Sequence, residues 1–325
     1  MAVDAQAVSF TDATAVKAID SHTYSVELQD DWAIGTVPHG GYVTSCFLEV
    51  ANKHFSTTLS KQNQPHTFTV HQEFPRRTEV GPAIFKVRDI KLGRQTSTIH
   101  ISLVQYGREE VVAYLNHTNL INEKGVSFTT GWTLSPSAYP VDLSKLKAGD
   151  DLNWVEQRAM PFSSFRKASN RVRFFFPREG QKLKSLADQW ITWRNGEKFT
   201  NTSLGYVCDM FPQIVESYVV DEDPYTVKHQ KSQNRRTDKK NVAKFWYPTV
   251  VLNLDIKKLL PEKGVEWLFV RTQAKQIRKG RIDLEVIIMD EVGDIVALSH
   301  HVCLVLDAGR NTAKRRRNIS SETKL

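Results

Sequence analysis

The chain runs through one order of elements twice, and that repetition constrains its fold more than any single motif. Residues 41–59 place Val43, Cys46, Phe47, Val50, Ala51, His54 and Phe55 at three- and four-residue steps, an apolar stripe along one helix. Four runs rich in β-branched and aromatic residues follow at 66–74, 82–92, 97–106 and 110–118, separated by turn residues. The succession then returns. Residues 203–219 carry Leu204, Val207, Cys208, Phe211, Ile214, Val215 and Tyr218 on one helical face, with Pro212 predicted to kink it, and strands are expected at 249–256, 266–276, 281–290 and 295–306. A helix followed by antiparallel strands is an α+β unit whose sheet can wrap the helix, and two such units imply an internal duplication. The expected packing is a pseudo-twofold pair with the sheets continuous or back to back and both helices inside.

At 325 residues, 40% hydrophobic and 25% charged, the chain is long enough for roughly two domains. The expected division is an N-terminal unit at 1–122, a Ser/Pro/Lys/Asp-rich linker at 123–165, a C-terminal unit at 166–308 and a basic, disordered tail at 309–325. No apolar run reaches the ~18 residues of a membrane-spanning helix, and Asp4, Asp12, Asp20 and Asp30 stand where a signal peptide would be apolar. Cys46, Cys208 and Cys303 form no disulfide framework and fit a reducing compartment. The net charge of +8 is local: residues 228–244 hold seven Lys/Arg against Asp238, and residues 310–325 hold six against Glu322. With the rest of the chain close to neutral, no basic stripe on a folded surface supports nucleic-acid binding.

Several chemistries drop by absence. There is no G-x-S-x-G elbow, no glycine-rich nucleotide loop and no zinc-type His/Cys spacing, so neither metal nor cofactor is expected. His39-Gly40-Gly41-Tyr42, at the mouth of the first helix, offers unpaired amides and a positive dipole end to a carbonyl oxygen gaining charge, or else is a glycine turn packed on the sheet. Asp255 is a carboxylate in an apolar strand, either functional or a strand-ending partner of a lysine. Asp209 reads as a solvated helix residue, and His300-His301 must put one imidazole on each face of the last strand.

In their order and spacing, these segments resemble the acyl-CoA thioesterase II family and its thioesterase-like relatives, many of them fungal. The resemblance rests on His39-Gly40-Gly41-Tyr42, His66-Thr67-Phe68 and Gly93-Arg94 in the first unit, and on Trp190 to Arg194, Leu204 to Asp209, and Leu254-Asp255 with Glu266-Trp267-Leu268 in the second. It covers roughly residues 30–120 and 165–307 and implies a double hotdog: two helix-wrapped antiparallel sheet units in one chain. It also implies an acyl-CoA hydrolase of fatty acid or secondary metabolite metabolism, without metal or nucleotide, acting on an acyl thioester and open to homodimerisation. Carried over residue by residue, the resemblance puts the family aspartate on Asp255, the Thr/Ser position near Lys275 or Gln276, and the Gln position on His301. On that reading Asp255 polarises the attacking water, His301 pairs with it, Lys275 contacts an oxyanion or phosphate, and Gly40 and Gly41 hold the oxyanion. The departures from the pattern leave open a non-hydrolytic or acyl-binding protein of the same fold. The terminal Thr323-Lys324-Leu325 resembles a peroxisomal S-K-L signal, so the expected address is peroxisome or cytoplasm.

Overall fold

The computed structural model describes residues 8–158, 160–210, 214–219 and 243–313. The terminal tripeptide, Pro212 and most of the basic 228–244 segment lie outside them.

Strands β1 (Lys17–Ala18) and β2 (Thr23–Leu28) lead into a two-residue pair, β3 (Ala33–Ile34) and β4 (Val37–Pro38). Then come β5 (His66–Glu73), β6 (Gly81–Lys91), β7 (Ser97–Gln105) and β8 (Arg108–Thr118), close to the four runs expected from periodicity. The second half supplies β9 (Trp154–Glu156), β10 (Val172–Pro177), β11 (Leu186–Trp193), β12 (Phe245–Trp246), β13 (Thr249–Ile256), β14 (Leu268–Arg278), β15 (Arg281–Met289), β16 (Ile295–Leu304) and β17 (Leu306–Asp307). Thirteen of these form one sheet in the order β1-β2-β6-β7-β8-β5-β13-β16-β15-β14-β11-β10-β9. The halves meet at an antiparallel β5–β13 ladder from Val251↔Glu73 to Asp255↔Thr69, so the two sheets are continuous.

Five helices are used below: α1 (Phe10–Thr14), α2 (Gly40–Ser56), α3 (Leu143–Ala148), α4 (Leu204–Cys208) and α5 (Glu216–Val219). Helix α2 buries twelve of its seventeen residues, among them Val43, Cys46, Phe47, Val50 and Phe55, in a core cluster that runs through both halves of the sheet. The second helix departs from expectation. Instead of one kinked helix over 203–219, the described residues form two short ones, and the chain leaves α4 at Asp209, with φ −105° and ψ 8°. At that point the Asp209 carboxylate takes the Gly41 amide at 2.8 Å, drawing α4 onto α2: a Cβ on Gly205 would lie 2.8 Å from the backbone N of Ser45, and one on Gly41 would lie 2.7 Å from the carbonyl oxygen of Gly205. Helices α2 and α4 thus touch backbone to backbone, which only glycine permits.

The segment read as a linker contributes α3 and the edge strand β9. Strand β11 was not expected because all eight of its residues are buried, which erases the alternation that marks a half-exposed strand. One side of it joins the main core through Ile191 and Trp193; on the other, Trp190 packs into a second cluster with Trp154, Trp267 and Phe269. Its one carboxylate, Asp188, is held by the Arg271 guanidinium at 2.6 and 2.7 Å.

Candidate active site

His39 caps α2 by accepting the Tyr42 amide on Nδ1 at 3.3 Å. With Nδ1 used as an acceptor, the ring proton lies on Nε2, which donates to the backbone carbonyl of Asp209 at 3.2 Å and stands 3.5 Å from its Oδ2. That same Oδ2 accepts the amide of Gly41 at 2.8 Å, and Oδ1 accepts the hydroxyl of Thr249 at 3.3 Å. Asp209 is therefore a buried carboxylate, its side chain 8% exposed, set at the positive end of α2 between the two halves of the chain.

His301 approaches from β16. It is fully buried, with Nδ1 3.6 Å from Asp209 Oδ1 and Nε2 2.8 Å from Ser299 Oγ. The Ser299 hydroxyl gives its proton to the carbonyl of Asn253 at 2.5 Å, so it accepts from His301 Nε2 and makes Nδ1 the acceptor nitrogen. Burial pushes the His301 imidazole down to about 4, against the opposing pull of Asp209, so it is neutral at physiological pH. His39 is likewise lowered by burial. Cys303 touches the Thr249 hydroxyl at 3.6 Å, but burial raises its thiol to about 12 and removes it as a nucleophile.

His39, Asp209 and Thr249 border a cavity of about 250 Å³, and His301 and Cys303 are buried behind it. His39, Gly40, Asp209 and Thr249 line its polar side, Val37, Phe74, Phe165 and Trp246 are among its apolar walls, and Arg76 lines it as well.

The expected site residues divide. His39, Gly40, Gly41 and His301 come together at Asp209, whereas Asp255, Lys275 and Gln276 do not. Asp255 pairs with Leu298 and stands on the face of β13 opposite to Leu252, the residue beside His301, so an Asp255–His301 pair is not formed. Its carboxylate is 46% exposed and sits 3.5 Å from Lys257. Lys275 is an exposed strand residue paired with Glu285 at 2.8 Å and hydrogen-bonded to Gln273, and Gln276 is exposed beside it. The amide of Gly41 is taken by Asp209, which leaves Gly40 as the glycine facing the cavity. Tyr42 points into the core, where its hydroxyl donates to the Ala13 carbonyl at 2.8 Å and ties α1 to α2.

Asp209 and Thr249 are the residues that periodicity overlooked. A carboxylate directly after the apolar run Leu204–Cys208 was the available signal for the first. Thr249 opens β13 as an ordinary strand residue, and only the fold shows what it faces.

Comparison with known proteins gives the family and the fold. The model of the acyl-CoA thioesterase N-terminal domain matches residues 28–118, and that of the C-terminal domain matches residues 140–305. A thioesterase-like protein, TwmA, of Talaromyces wortmannii is 38% identical over 94% of this chain and 94% of its own. A candidate thioesterase II from Thermobifida fusca superposes with a TM-score of 0.67 at 22% identity, covering 91% of this chain and 97% of that one. A protein with a hot dog fold from Alicyclobacillus acidocaldarius superposes at 0.68 with 16% identity, over 92% and 98%. With both domains matched and a relative aligned along nearly its whole length, the chain is a double-hotdog member of the acyl-CoA thioesterase family.

Proposed function

We propose that the chain hydrolyses an acyl-CoA thioester with water activated by Asp209. The observation that carries this reading is the buried carboxylate itself, held by the Gly41 amide and the Thr249 hydroxyl at the edge of a cavity that also has apolar walls. Desolvating a carboxylate is costly unless it is used or paired, and here hydrogen bonds hold it while it still borders the cavity.

In the proposed reaction the acyl chain lies along the apolar wall and the thioester carbonyl rests against the N-terminus of α2, where the Gly40 amide and the helix dipole favour negative charge. Asp209 accepts a hydrogen bond from one water on the polar side of the cavity, with His301 packed behind the carboxylate. That water attacks the carbonyl carbon and loses a proton to Asp209. The tetrahedral intermediate collapses with cleavage of the carbon–sulfur bond, and the departing thiolate takes the proton from Asp209, releasing free acid and coenzyme A. Arg76 suits the phosphates of the coenzyme. No metal or organic cofactor enters these steps.

The test is thiol release from a panel of acyl-CoAs by the purified full-length protein and by Asp209→Asn. Hydrolysis by the wild type that falls by at least ~10²-fold in the variant is expected. No release from any acyl-CoA would overturn hydrolysis in favour of acyl binding, and full activity of folded Asp209→Asn would overturn the role of the carboxylate.

A further inference from the structure

We infer that His22, His54 and Asp89 form a binding site for a divalent transition-metal cation of the zinc type, at the opposite end of α2 from Asp209. Three elements supply the ligands. His22 lies in the turn before β2, His54 in the last turn of α2, and Asp89 near the end of β6, continuing the helix-facing row Ala83, Phe85 and Val87. Because they come from separate elements, no local spacing announces them.

Both imidazoles aim Nε2 at the same carboxylate, His54 at 2.9 Å from Oδ1 and His22 at 3.3 Å from Oδ2. One donor atom from each of the three residues lies within 4.8 Å of the others. Tetrahedral coordination at about 2.0–2.1 Å puts ligand atoms roughly 3.3 Å apart, so a cation fits with small adjustments.

The backs of both rings are also engaged. His54 Nδ1 stands 3.0 Å from the carbonyl of Ser21, which can only accept, and 3.1 Å from the Tyr24 hydroxyl; His22 Nδ1 is 2.8 Å from Ser21 Oγ. A proton on His54 Nδ1 leaves the Nε2 lone pair facing a carboxylate oxygen at 2.9 Å, a contact that a cation between them turns from repulsive to attractive. Anchoring the far ring nitrogen to a carbonyl or hydroxyl is how metal-ligating histidines are oriented. His54 is fully buried, while His22 is 41% and Asp89 23% exposed, so an ion has a path in from solvent.

Fifteen residues of helix separate His54 from His39, about 22 Å at 1.5 Å per residue, so the ion would serve structure and not catalysis. It would clamp the turn before β2 and the end of β6 onto the C-terminal turn of α2.

The experiment uses chelator-treated full-length protein titrated with Co²⁺ and followed by visible absorption, alongside thermal melting with and without Zn²⁺. His22→Ala and Asp89→Asn are the variants, since both positions are partly exposed and removal of the buried His54 endangers folding. One equivalent of Co²⁺ giving d–d bands, a Zn²⁺-dependent rise in Tm, and loss of both effects in each folded variant are expected. Absence of the bands in the wild type, or bands and Tm rise that persist in both variants, overturns the proposal and leaves Asp89 as a hydrogen-bond acceptor for two histidines.

Discussion

The backbone amide of Gly41 donates to the Asp209 carboxylate at 2.8 Å across 168 residues of chain. The bond joins the first turn of the long helix in one unit to the end of the short helix in the other. It forms only because Gly41 and Gly205 let the two helices meet without side chains between them. Neither unit alone assembles the cavity's polar side: the start of α2 brings His39 and Gly40, and the second half brings Asp209 and Thr249.

Two carboxylates are candidates for the catalytic role, and their different surroundings give them different expected outcomes. Asp209→Asn should keep the fold and lower thiol release by at least ~10²-fold. Asp255→Asn removes only an exposed contact to Lys257 and should stay within about twofold of wild type. Turnover on a single acyl-CoA, with circular dichroism as the folding control, separates the two. An Asp255 variant more impaired than the Asp209 one would reverse the assignment.

Gly205→Ala should destabilise the protein by about 1–3 kcal/mol, because the added methyl meets the backbone N of Ser45 at 2.8 Å and its Oγ at 2.9 Å. Gly125→Ala is the control, since nothing lies within 4 Å of its Cβ position, and should change stability by less than about 0.5 kcal/mol. Equilibrium denaturation of both variants measures the difference. Equal midpoints would mean that the helices separate without penalty.

Acid should weaken the fold through two buried imidazoles. Burial lowers His301 to about 4 and His117 to about 3, the latter stacked on Phe55 at 3.9 Å and hydrogen-bonded to Thr67 at 2.8 Å. Below the ordinary histidine value of 6.5 the unfolded chain binds protons that the folded chain refuses, so stability rises with pH in this range. Their contribution is fully present above about pH 6.5 and is lost progressively as pH falls toward 4 and then 3. Denaturation midpoints measured across pH 4–7 should show the slope, and His117→Gln should reduce it. A flat dependence would contradict the neutral, buried state of both rings.

Repetition of the 3.6- and 2-residue periods makes the repeated α+β plan legible in the sequence: α2 and the strands β5 to β8 and β13 to β16 all lie close to where apolar patterning puts them. What escapes is whatever tertiary contact overrides pattern. Strand β11 is covered on both faces and has no alternation, and the second helix stops at Asp209 because that carboxylate is drawn to the Gly41 amide. Half of the site was visible as well. A glycine pair at a helix start is a local signature, and adjacent histidines in one strand face opposite sides: His301 is buried, while His300 is exposed. Asp255 stands in an apolar strand, yet the partner strands decide which of two alternating faces is covered, and a single strand does not carry that information.

His301 provides the last prediction, because its two nitrogens have different tasks. Nε2 is bound to Ser299, and Nδ1 stands 3.6 Å from Asp209 Oδ1, so the ring holds the carboxylate from behind. Replacement by Ala removes the ring that positions the carboxylate and should lower kcat by about 10²-fold while changing KM little, since His301 does not line the cavity. Glutamine can donate to Ser299 through its amide and offer its carbonyl toward Asp209, so His301→Gln should retain most of the activity. The imidazole stays neutral down to about pH 4, so the wild-type rate should show no inflection near 6.5. The pH–rate profiles of wild type and His301→Gln measure this directly. An inflection near 6.5 present in the wild type and absent from the glutamine variant would show that His301 titrates in the normal range and acts as a conventional base.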